Sequence, residues 1–352
     1  MTSGRWQDLY KSNQDTIRRS LAQRGAPQPA PTDGRTGPFP LTGAPKATSA
    51  RADAGSPGTR MVYSGPQGSR PYRMYVPPGR TGPLPLVMLL HGCTQDAAAI
   101  AAGTRMNAHA DTHGFAVVYP EQTSAGNTNG CWNWFLPEHQ RRGVGEPAIL
   151  AGIAQDVLSG RSGATVDPSR VYVAGMSAGA GMAAVLAATY PDLIAGLGLH
   201  SGLVFQAANN VSGGFTVMRR GAADPAASAR AAFASMGPYA RVMPMVIVHG
   251  TADRTVAPIN GDQAVQQWRE TNRLAGAQLS AERPSRQETG RVPGGYAYSV
   301  RRWDDGSRPV VEYWQVEGLG HAWSGGSTAG SFTDPRGPDA SEAMWRFFSA
   351  QH

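Results

Sequence analysis

Along most of the chain, short apolar runs alternate with longer segments in which apolar positions recur at helical spacing. Strands are predicted over residues 86–91, 115–119 and 171–174, and helices over the intervening 97–112 and 148–159. An uninterrupted apolar strand indicates burial on both faces, which is typical of parallel strands covered by helices. The pattern therefore predicts an α/β fold with a mostly parallel central sheet flanked by helices.

The alternation continues toward the C-terminus. Apolar runs at 194–199 and 245–248 predict further strands, and residues 262–274 and 340–349 predict helices. In the last helix the apolar residues expected to face the core are Met344, Phe347 and Phe348. Between 205 and 243 no strand is evident, so this Ala- and Gly-rich segment is expected either to roof the site or to carry one or two surface helices.

Two antiparallel hairpins are predicted, one on each side of the alternating region. In the N-terminal hairpin, residues 61–63 and 72–76 flank the turn-prone sequence Gly-Pro-Gln-Gly. In the second hairpin, 296–303 and 310–316 are joined by Asp-Asp-Gly-Ser, another turn sequence. Both hairpins would add antiparallel strands to the parallel sheet.

The beginning of the chain has a different composition. Residues 25–59 are dominated by Pro, Ala, Gly, Ser and Thr and show no hydrophobic periodicity, which is typical of a linker. We therefore predict a polar, largely disordered N-terminal segment and linker over 1–59 and one α/β domain over 60–352. With 352 residues and 41% hydrophobic composition, the chain can bury a large core.

The chain is basic, with a formal net charge of +7. Nearly all of the positive charge is arginine, since the lysines are Lys11 and Lys46 alone, and the arginines are scattered rather than clustered. Without a basic stripe or a groove-reading motif, no nucleic-acid partner is expected. No apolar run approaches the length of a membrane helix, so no membrane partner is expected either. Residues 1–23 lack the apolar centre of a signal peptide, and oligomeric state is left open.

The most informative motif is Gly-Met-Ser-Ala-Gly at 175–179, directly after the predicted strand at 171–174. The following residues, 180–190, are rich in Ala, Met and Leu, so the order is strand, turn, helix. A serine in this context is typical of a nucleophile elbow, in which a sharp turn presents the hydroxyl to a neighbouring base. Ser177 is therefore the candidate nucleophile, although a strand-to-helix turn could match by chance.

An activated serine needs a base and an orienting acid, and in parallel sheets such groups follow the carboxyl ends of strands. Asp253 follows the strand at 245–248, and His321 follows the last predicted strand. The chain order Ser177, Asp253, His321 is the one expected of α/β-hydrolases. These three residues are the predicted catalytic set.

Other acids and histidines have simpler explanations. Asp262 is placed to cap a helix, and three more aspartates stand at predicted turns or caps, namely Asp304, Asp334 and Asp339. Three histidines end predicted strands, where one could line the site but all are expected to frame loops: His91, His200 and His249.

Charge that develops on a substrate carbonyl oxygen needs N–H donors. One is expected from Ala178, immediately after the nucleophile, and the other from the loop at 91–95, where Cys93 is the best-placed residue. The two cysteines, Cys93 and Cys131, have no metal-type spacing, which leaves either a disulfide or two free thiols. Sequence alone does not choose between them.

From residue 60 to the end, the chain resembles the polyhydroxybutyrate depolymerase-type esterases, an α/β-hydrolase family related to feruloyl and acetylxylan esterases. The matching segments are His-Gly-Cys-Thr-Gln at 91–95, Cys-Trp-Asn-Trp at 131–134, Gly-Met-Ser-Ala-Gly at 175–179, His-Gly-Thr-Ala-Asp at 249–253 and Gly-His-Ala-Trp at 320–323. The resemblance implies a Ser177, Asp253, His321 triad, an oxyanion hole from Cys93 and Ala178, and a Cys93–Cys131 disulfide.

The resemblance also implies a serine esterase that works through an acyl-enzyme without a metal or cofactor. We expect its substrate to be a polyhydroxyalkanoate, another polyester or their oligomers, with feruloyl or acetylxylan esterase activity as the alternative. An acyltransferase on the same scaffold and a non-catalytic binding protein are further alternatives. Relatives of this type are often secreted, so an extracellular or periplasmic location is expected, with a cytoplasmic one still open because no signal sequence is recognised.

Three tryptophans stand beside the predicted site, and their flat apolar rings could bind a polyester or aromatic acyl group. They are Trp132, Trp134 and Trp323. Trp323, next to His321, is expected to form a wall of the site. The alternative for all three is packing beneath the loops.

Overall fold

The apolar runs predicted as strands all belong to one ten-stranded sheet. We describe it from a computed structural model that covers residues 57–80, 82–280 and 283–351. In chain order its strands are β1 (Thr59–Gly65), β2 (Gly68–Tyr75), β3 (Leu84–Leu90), β4 (Ala116–Pro120), β5 (Val166–Met176), β6 (Gly196–His200), β7 (Met245–Gly250), β8 (Arg286–Arg291), β9 (Ala297–Asp305) and β10 (Arg308–Val316).

The sheet has the order β1-β2-β4-β3-β5-β6-β7-β10-β9-β8. Its six central strands, from β4 to β10, run parallel, and antiparallel strands flank them on both sides. Strands β3, β4, β6 and β7 are buried at every position, as their uninterrupted apolar sequences require. The predicted mostly parallel sheet is thereby confirmed, as are both hairpins.

Helices cover the two faces of the sheet. They are α1 (Ala97–Thr104), α2 (Met106–His113), α3 (Gly145–Leu158), α4 (Ala178–Thr189), α5 (Val211–Arg220), α6 (Pro225–Met236), α7 (Ile259–Leu274) and α8 (Ala340–Ser349). Every residue of α4 is buried, so it forms part of the central core. No helix within the described ranges is both long and apolar enough to cross a bilayer.

Several boundaries differ from the sequence prediction. The helix predicted over 97–112 is two helices, because Arg105 adopts a left-handed conformation with φ 54° that ends α1 and starts α2. Helix α7 begins at Ile259, so Asp262 lies in its first turn, 3.3 Å from the guanidinium of Arg301, and does not cap the helix. Strand β8 was not predicted, because its sequence Arg-Gln-Glu-Thr-Gly-Arg has no apolar residue.

Two further predictions concern the segment between 205 and 243 and the segment 1–59. The segment between 205 and 243 carries α5 and α6 and has no strand, in agreement with the surface-helix alternative. The N-terminal segment and linker predicted over 1–59 lie almost entirely outside the described residues, which start at residue 57. The domain boundary at residue 60 therefore stays a prediction.

The C-terminal helix closes the core against the centre of the sheet. Phe348 is 1% exposed, and its ring stacks on Tyr172 of β5 with ring centres 4.6 Å apart. The Tyr172 hydroxyl also donates a hydrogen bond to the Phe348 carbonyl at 3.1 Å. Met344 and Phe347 are buried as well, so the predicted inward face of this helix is correct.

We expect Phe348→Ala to lower the free energy of unfolding by about 3–5 kcal/mol, because it opens a cavity between α8 and β5. The matched control is Leu274→Ala at an exposed helix end, which should cost less than about 1 kcal/mol. Urea unfolding followed by circular dichroism measures both. Equal losses in the two variants would contradict the packing described for α8.

Candidate active site

Ser177 occupies the turn between β5 and α4, with φ 56° and ψ −120°. A non-glycine residue with positive φ is strained, and such strain persists only where the surroundings enforce it. The two glycines that flank Ser177 show how the surrounding backbone enforces this conformation. A methyl group on Gly175 would lie 2.4 Å from the carbonyl carbon of Gly179, and one on Gly179 would lie 2.2 Å from the Leu90 oxygen. Only glycine permits this close approach of strand and helix.

The Ser177 backbone is also tied to the neighbouring strand. Its N–H donates to the His200 carbonyl at 3.0 Å, and its own carbonyl accepts from Gly181 at 3.0 Å. The next residue, Ala178, is the first of α4, where backbone N–H groups have no partner within the helix. The Ala178 N–H can therefore serve as a donor to an anionic oxygen beside the serine.

Asp253 and His321 form a buried pair. The Nδ1 atom of His321 lies 2.7 Å from Oδ2 of Asp253, and the two residues are 5% and 3% exposed. The other carboxylate oxygen, Oδ1, accepts from the N–H groups of Thr255 and Val256 at 2.9 Å each. These bonds fix the carboxylate so that Oδ2 faces the imidazole.

Burial by itself would raise the pKa of Asp253, but the charge and hydrogen bond of His321 and the Val256 N–H prevail and lower it. The carboxylate is therefore ionised at neutral pH. An ionised acceptor at Nδ1 holds the proton on that nitrogen and leaves Nε2 as the basic atom of the neutral ring.

The loop after β3 lies against the serine. A methyl group on Gly92 would be 3.6 Å from the Ser177 Cβ. The N–H groups around Cys93 are occupied: Gly92 donates to the Gln95 side chain at 2.9 Å and Thr94 to the Asn129 carbonyl at 2.8 Å. Within the described residues, the Cys93 N–H has no such acceptor, so it is available for a ligand beside Ser177.

The two cysteines form a disulfide between Cys93 and Cys131. This bond links the loop after β3 to the segment that precedes the short 3₁₀ helix Pro137–His139, and the Thr94 to Asn129 hydrogen bond runs alongside it. The alternative of two free thiols is excluded for this structure. The bridge restricts the loop that carries the Cys93 N–H.

Three histidines at strand ends are buried and hold the loops, as expected. Nε2 of His91 accepts from the Gln122 N–H, Nε2 of His200 accepts from the Ser324 N–H, and Nε2 of His249 donates to the Val256 carbonyl. These bonds are 2.9–3.0 Å long. Burial is the main cause that lowers the pKa of all three rings, that of His200 to about 3. Each ring is thus neutral and connects a strand end to a neighbouring loop.

Sequence reasoning missed a buried carboxyl group next to the disulfide segment, that of Glu146 in the first turn of α3. It is 1% exposed, and both oxygens accept hydrogen bonds, Oε2 from the Asn133 N–H and Oε1 from the Asn133 side chain, each at 2.7 Å. Gln122 also donates to Oε1 and, at 3.0 Å, to the Cys131 carbonyl. Glu146 therefore orders the segment that carries the disulfide. The only signal in the sequence is its place near a helix N-terminus.

The three tryptophans are packed beneath the loops. Trp132 and Trp323 are 0% and 1% exposed, and Trp323 stacks on His200 with ring centres 4.8 Å apart. Trp134 is 4% exposed and packs so closely on α4 that a methyl group on Gly181 would lie 2.8 Å from it. A ring without accessible surface cannot form an open wall, so the packing alternative describes these side chains better.

The profile of the family described as Esterase PHB depolymerase matches residues 70–289, more than half of the chain. The chain belongs to the PHB depolymerase esterase family. The resemblance carried by the five sequence segments is thereby confirmed.

Relatives of similar sequence include a poly(3-hydroxyalkanoate) depolymerase, an acetylxylan esterase and a feruloyl esterase. Poly(3-hydroxyalkanoate) depolymerase C of Paucimonas lemoignei is 39% identical over 249 residues, which is 70% of this chain and 57% of the relative. Acetylxylan esterase A of Emericella nidulans is 32% identical, covering 56% of this chain and 66% of the relative. Feruloyl esterase B of Neurospora crassa is 31% identical, covering 73% and 85%. The chain thus spans less than two thirds of the first two relatives.

A solved structure of similar fold is the acetyl xylan esterase from Aspergillus awamori. It has a TM-score of 0.64 with 23% sequence identity and covers 75% of this chain and 94% of that chain. At this level of identity the likeness concerns the fold, and it confirms the predicted α/β-hydrolase fold.

The buried His200 predicts a pH dependence of the stability of this protein. Its pKa is about 3 in the folded chain against 6.5 for a free histidine, so the unfolded chain binds the proton first as pH falls. Stability is therefore lost from pH 6.5 downward, and His200 alone should contribute a loss of roughly 2 kcal/mol between about pH 8 and about pH 5.

His200→Gln cannot titrate and should reduce the stability difference between the two pH values by that amount. Urea unfolding at both pH values measures it, whatever the absolute stability of the variant. A variant with the same pH dependence as the original chain would show that His200 is not buried as a neutral ring.

Proposed function

We propose that this protein is a serine carboxylic ester hydrolase with Ser177 as nucleophile, His321 as base and Asp253 as the orienting acid. The observation that supports it most is the 2.7 Å contact between His321 Nδ1 and Asp253 Oδ2, with Oδ1 fixed by two backbone N–H groups. An imidazole whose Nδ1 is held in this way has Nε2 as its basic atom. The strained, glycine-flanked Ser177 is the nucleophile that such a base would serve.

In the proposed reaction, Nε2 of His321 removes the Ser177 hydroxyl proton as Oγ attacks the ester carbonyl carbon. The resulting imidazolium is stabilised by the ionised Asp253, which is not itself protonated. The imidazolium then gives its proton to the departing alcohol, which leaves an acyl-enzyme on Ser177. Water, deprotonated by the same histidine, releases the acid and restores the serine.

The negative oxygen of each tetrahedral intermediate would be held by the N–H groups of Cys93 and Ala178. The support is their place on both sides of Ser177: Ala178 begins α4, and the Cys93 loop lies against the serine. N–H groups that are already in position do not have to reorganise when the negative charge forms on the oxygen. The disulfide to Cys131 and the Glu146 carboxylate are proposed to keep the Cys93 loop in this ordered state.

For the substrate, we propose a polyhydroxyalkanoate, a related polyester or oligomers of either. The highest identity among the relatives described is to a poly(3-hydroxyalkanoate) depolymerase. Feruloyl ester hydrolysis is the second candidate, because the match to feruloyl esterase B covers 85% of that relative, against 57% of the depolymerase. The disulfide supports a location in an oxidising compartment, outside the cytoplasm.

Ser177→Ala should lower kcat/KM for a short-chain nitrophenyl ester by about four to six orders of magnitude, because no other nucleophile replaces the hydroxyl. Asp253→Asn should lower kcat by about 10⁴-fold, because it favours the wrong imidazole tautomer. The matched controls are the exposed residues Ser212→Ala and Asp262→Asn, which should retain activity. An active Ser177→Ala protein, folded by circular dichroism, would contradict the proposal.

A substrate panel separates the two candidates. We expect kcat/KM to be highest for 3-hydroxybutyrate oligomers when these are compared with feruloyl esters and acetylated xylan, with Ser177→Ala as the blank. Activity confined to feruloyl or acetyl esters would reject the polyester proposal and leave the mechanism intact. Adding an alcohol acceptor and analysing the products tests the acyltransferase alternative.

A further inference from the structure

A cluster of two histidines and a glutamate joins α2 to the C-terminal helix. Helix α2 carries His109 and His113, and Glu342 comes from the first turn of α8. Oε2 of Glu342 lies 3.1 Å from Nδ1 of His109 and 2.7 Å from Nε2 of His113. One carboxylate oxygen thus stands between two imidazole nitrogens. None of the proposed catalytic residues belongs to this cluster.

The spacing and chemistry of these side chains suit a divalent transition metal. Histidines four residues apart share one face of a helix and can bind one ion together. One ligand atom from each of the three residues lies within 4.8 Å of the others. A tetrahedral ion with bonds of about 2.1 Å keeps its ligand atoms about 3.4 Å apart, so small side-chain shifts would admit it. Two imidazoles with one carboxylate favour Zn²⁺ and its neighbours over Ca²⁺ or Mg²⁺.

The groups around the cluster are those that usually orient metal ligands. The second nitrogen of His109, Nε2, lies 3.2 Å from Oδ2 of Asp339, which leaves Nδ1 directed at Glu342. A carboxylate on the far nitrogen fixes the ring and makes it a better ligand. Asp339 is itself held, because its Oδ1 accepts from the Glu342 N–H at 3.0 Å and its Oδ2 contacts Arg105 at 2.7 Å.

The charge of the cluster also favours a cation. With neutral histidines, Glu342 and Asp339 bring two negative charges and Arg105 one positive charge, so one negative charge is in excess. The C-terminal end of α2, where His113 lies, adds the negative end of the helix dipole. The site can be reached from solvent, because the side chains of His113 and Glu342 are 28% and 45% exposed.

We propose that His109, His113 and Glu342 bind one Zn²⁺ or similar divalent ion, with Asp339 orienting His109 and water in the fourth position. The ion would join α8 to α2 and thereby stabilise the folded chain. Arg105, between α1 and α2, also donates to the Gly325 carbonyl at 2.8 Å, so the same corner of the fold supports the chain after His321. A metal was not expected from the sequence, and this one is structural, separate from the proposed ester hydrolysis.

Protonation of the two histidines is a second explanation of the same distances. If the histidines are protonated, each donates a hydrogen bond to Glu342 and no metal is needed. Metal binding must displace those protons, and it requires both nitrogens to face one ion. The two explanations therefore differ in whether a metal binds tightly at neutral pH.

The test uses the full chain without a polyhistidine tag, freed of metal with a chelator and titrated with Co²⁺. We expect one equivalent to bind with the visible absorption of tetrahedral Co²⁺, Zn²⁺ to displace it, and Zn²⁺ to raise the melting temperature above that measured in chelator. His113→Gln and Glu342→Gln should lose the absorption. Asp339→Asn, which keeps the helix cap, should weaken binding by about 10- to 100-fold. Glu270→Gln, at a half-buried helical glutamate outside the cluster, is the matched control and should bind normally.

The absence of tetrahedral absorption and of a melting shift in the unaltered chain would overturn the proposal in favour of the protonated cluster, without any variant being needed. Equal affinity in His113→Gln would overturn it as well. Neither result depends on ester hydrolysis, so failure here and failure of the proposed activity are distinguishable.

Discussion

The hydrogen bond between Asp253 and His321 constrains much of the surrounding structure, because it buries a carboxylate. A carboxylate buried this deeply would lose its charge unless donors offset its desolvation. Two backbone N–H groups and the imidazole supply them, which requires a tight turn after β7 and a glycine-rich loop that brings His321 over it. The neighbouring His249 lies 3.6 Å from the same oxygen, and burial keeps it uncharged. A positive charge on His249 would compete with His321 for the Asp253 carboxylate.

The loops around the serine are held by a small number of buried polar side chains rather than by regular structure. His91 and His200 each accept one loop N–H, and Glu146 holds the segment that carries Cys131. Such bonds are strong in a buried site and costly to break, so they restrict loops that would otherwise move. In this way the scaffold keeps the loop that contains Gly92 and Cys93 against Ser177.

The sequence predicted the sheet, both hairpins and the candidate catalytic residues because these features depend on local patterns. Apolar strand runs mark burial, and the elbow at Ser177 has fixed steric demands that the two glycines reveal. The break at Arg105 could not be predicted, since it depends on contacts with Gly325 and Asp339, more than two hundred residues away. Strand β8 could not be predicted either, because an edge strand paired on one side needs no apolar residues.

Two features of the site also could not be predicted, because they too depend on contacts between distant parts of the chain. Glu146 acts through partners at 122 and 133 that no spacing rule connects. Trp323 is buried although its sequence position favoured a wall of the site, and for Trp132 and Trp134 the sequence left packing and a binding surface equally open. Long-range burial decides which polar groups must be paired, and only the folded chain shows it.

The central claim is that Ser177 is the activated nucleophile of the Asp253 and His321 pair. A fluorophosphonate probe reacts with serines whose hydroxyl proton is removed by a neighbouring base, and intact-protein mass spectrometry followed by peptide mapping locates the adduct. The account predicts one adduct per chain, on Ser177, and a far slower reaction when Asp253 is Asn. Labelling at another residue, or none in the folded chain, would contradict it.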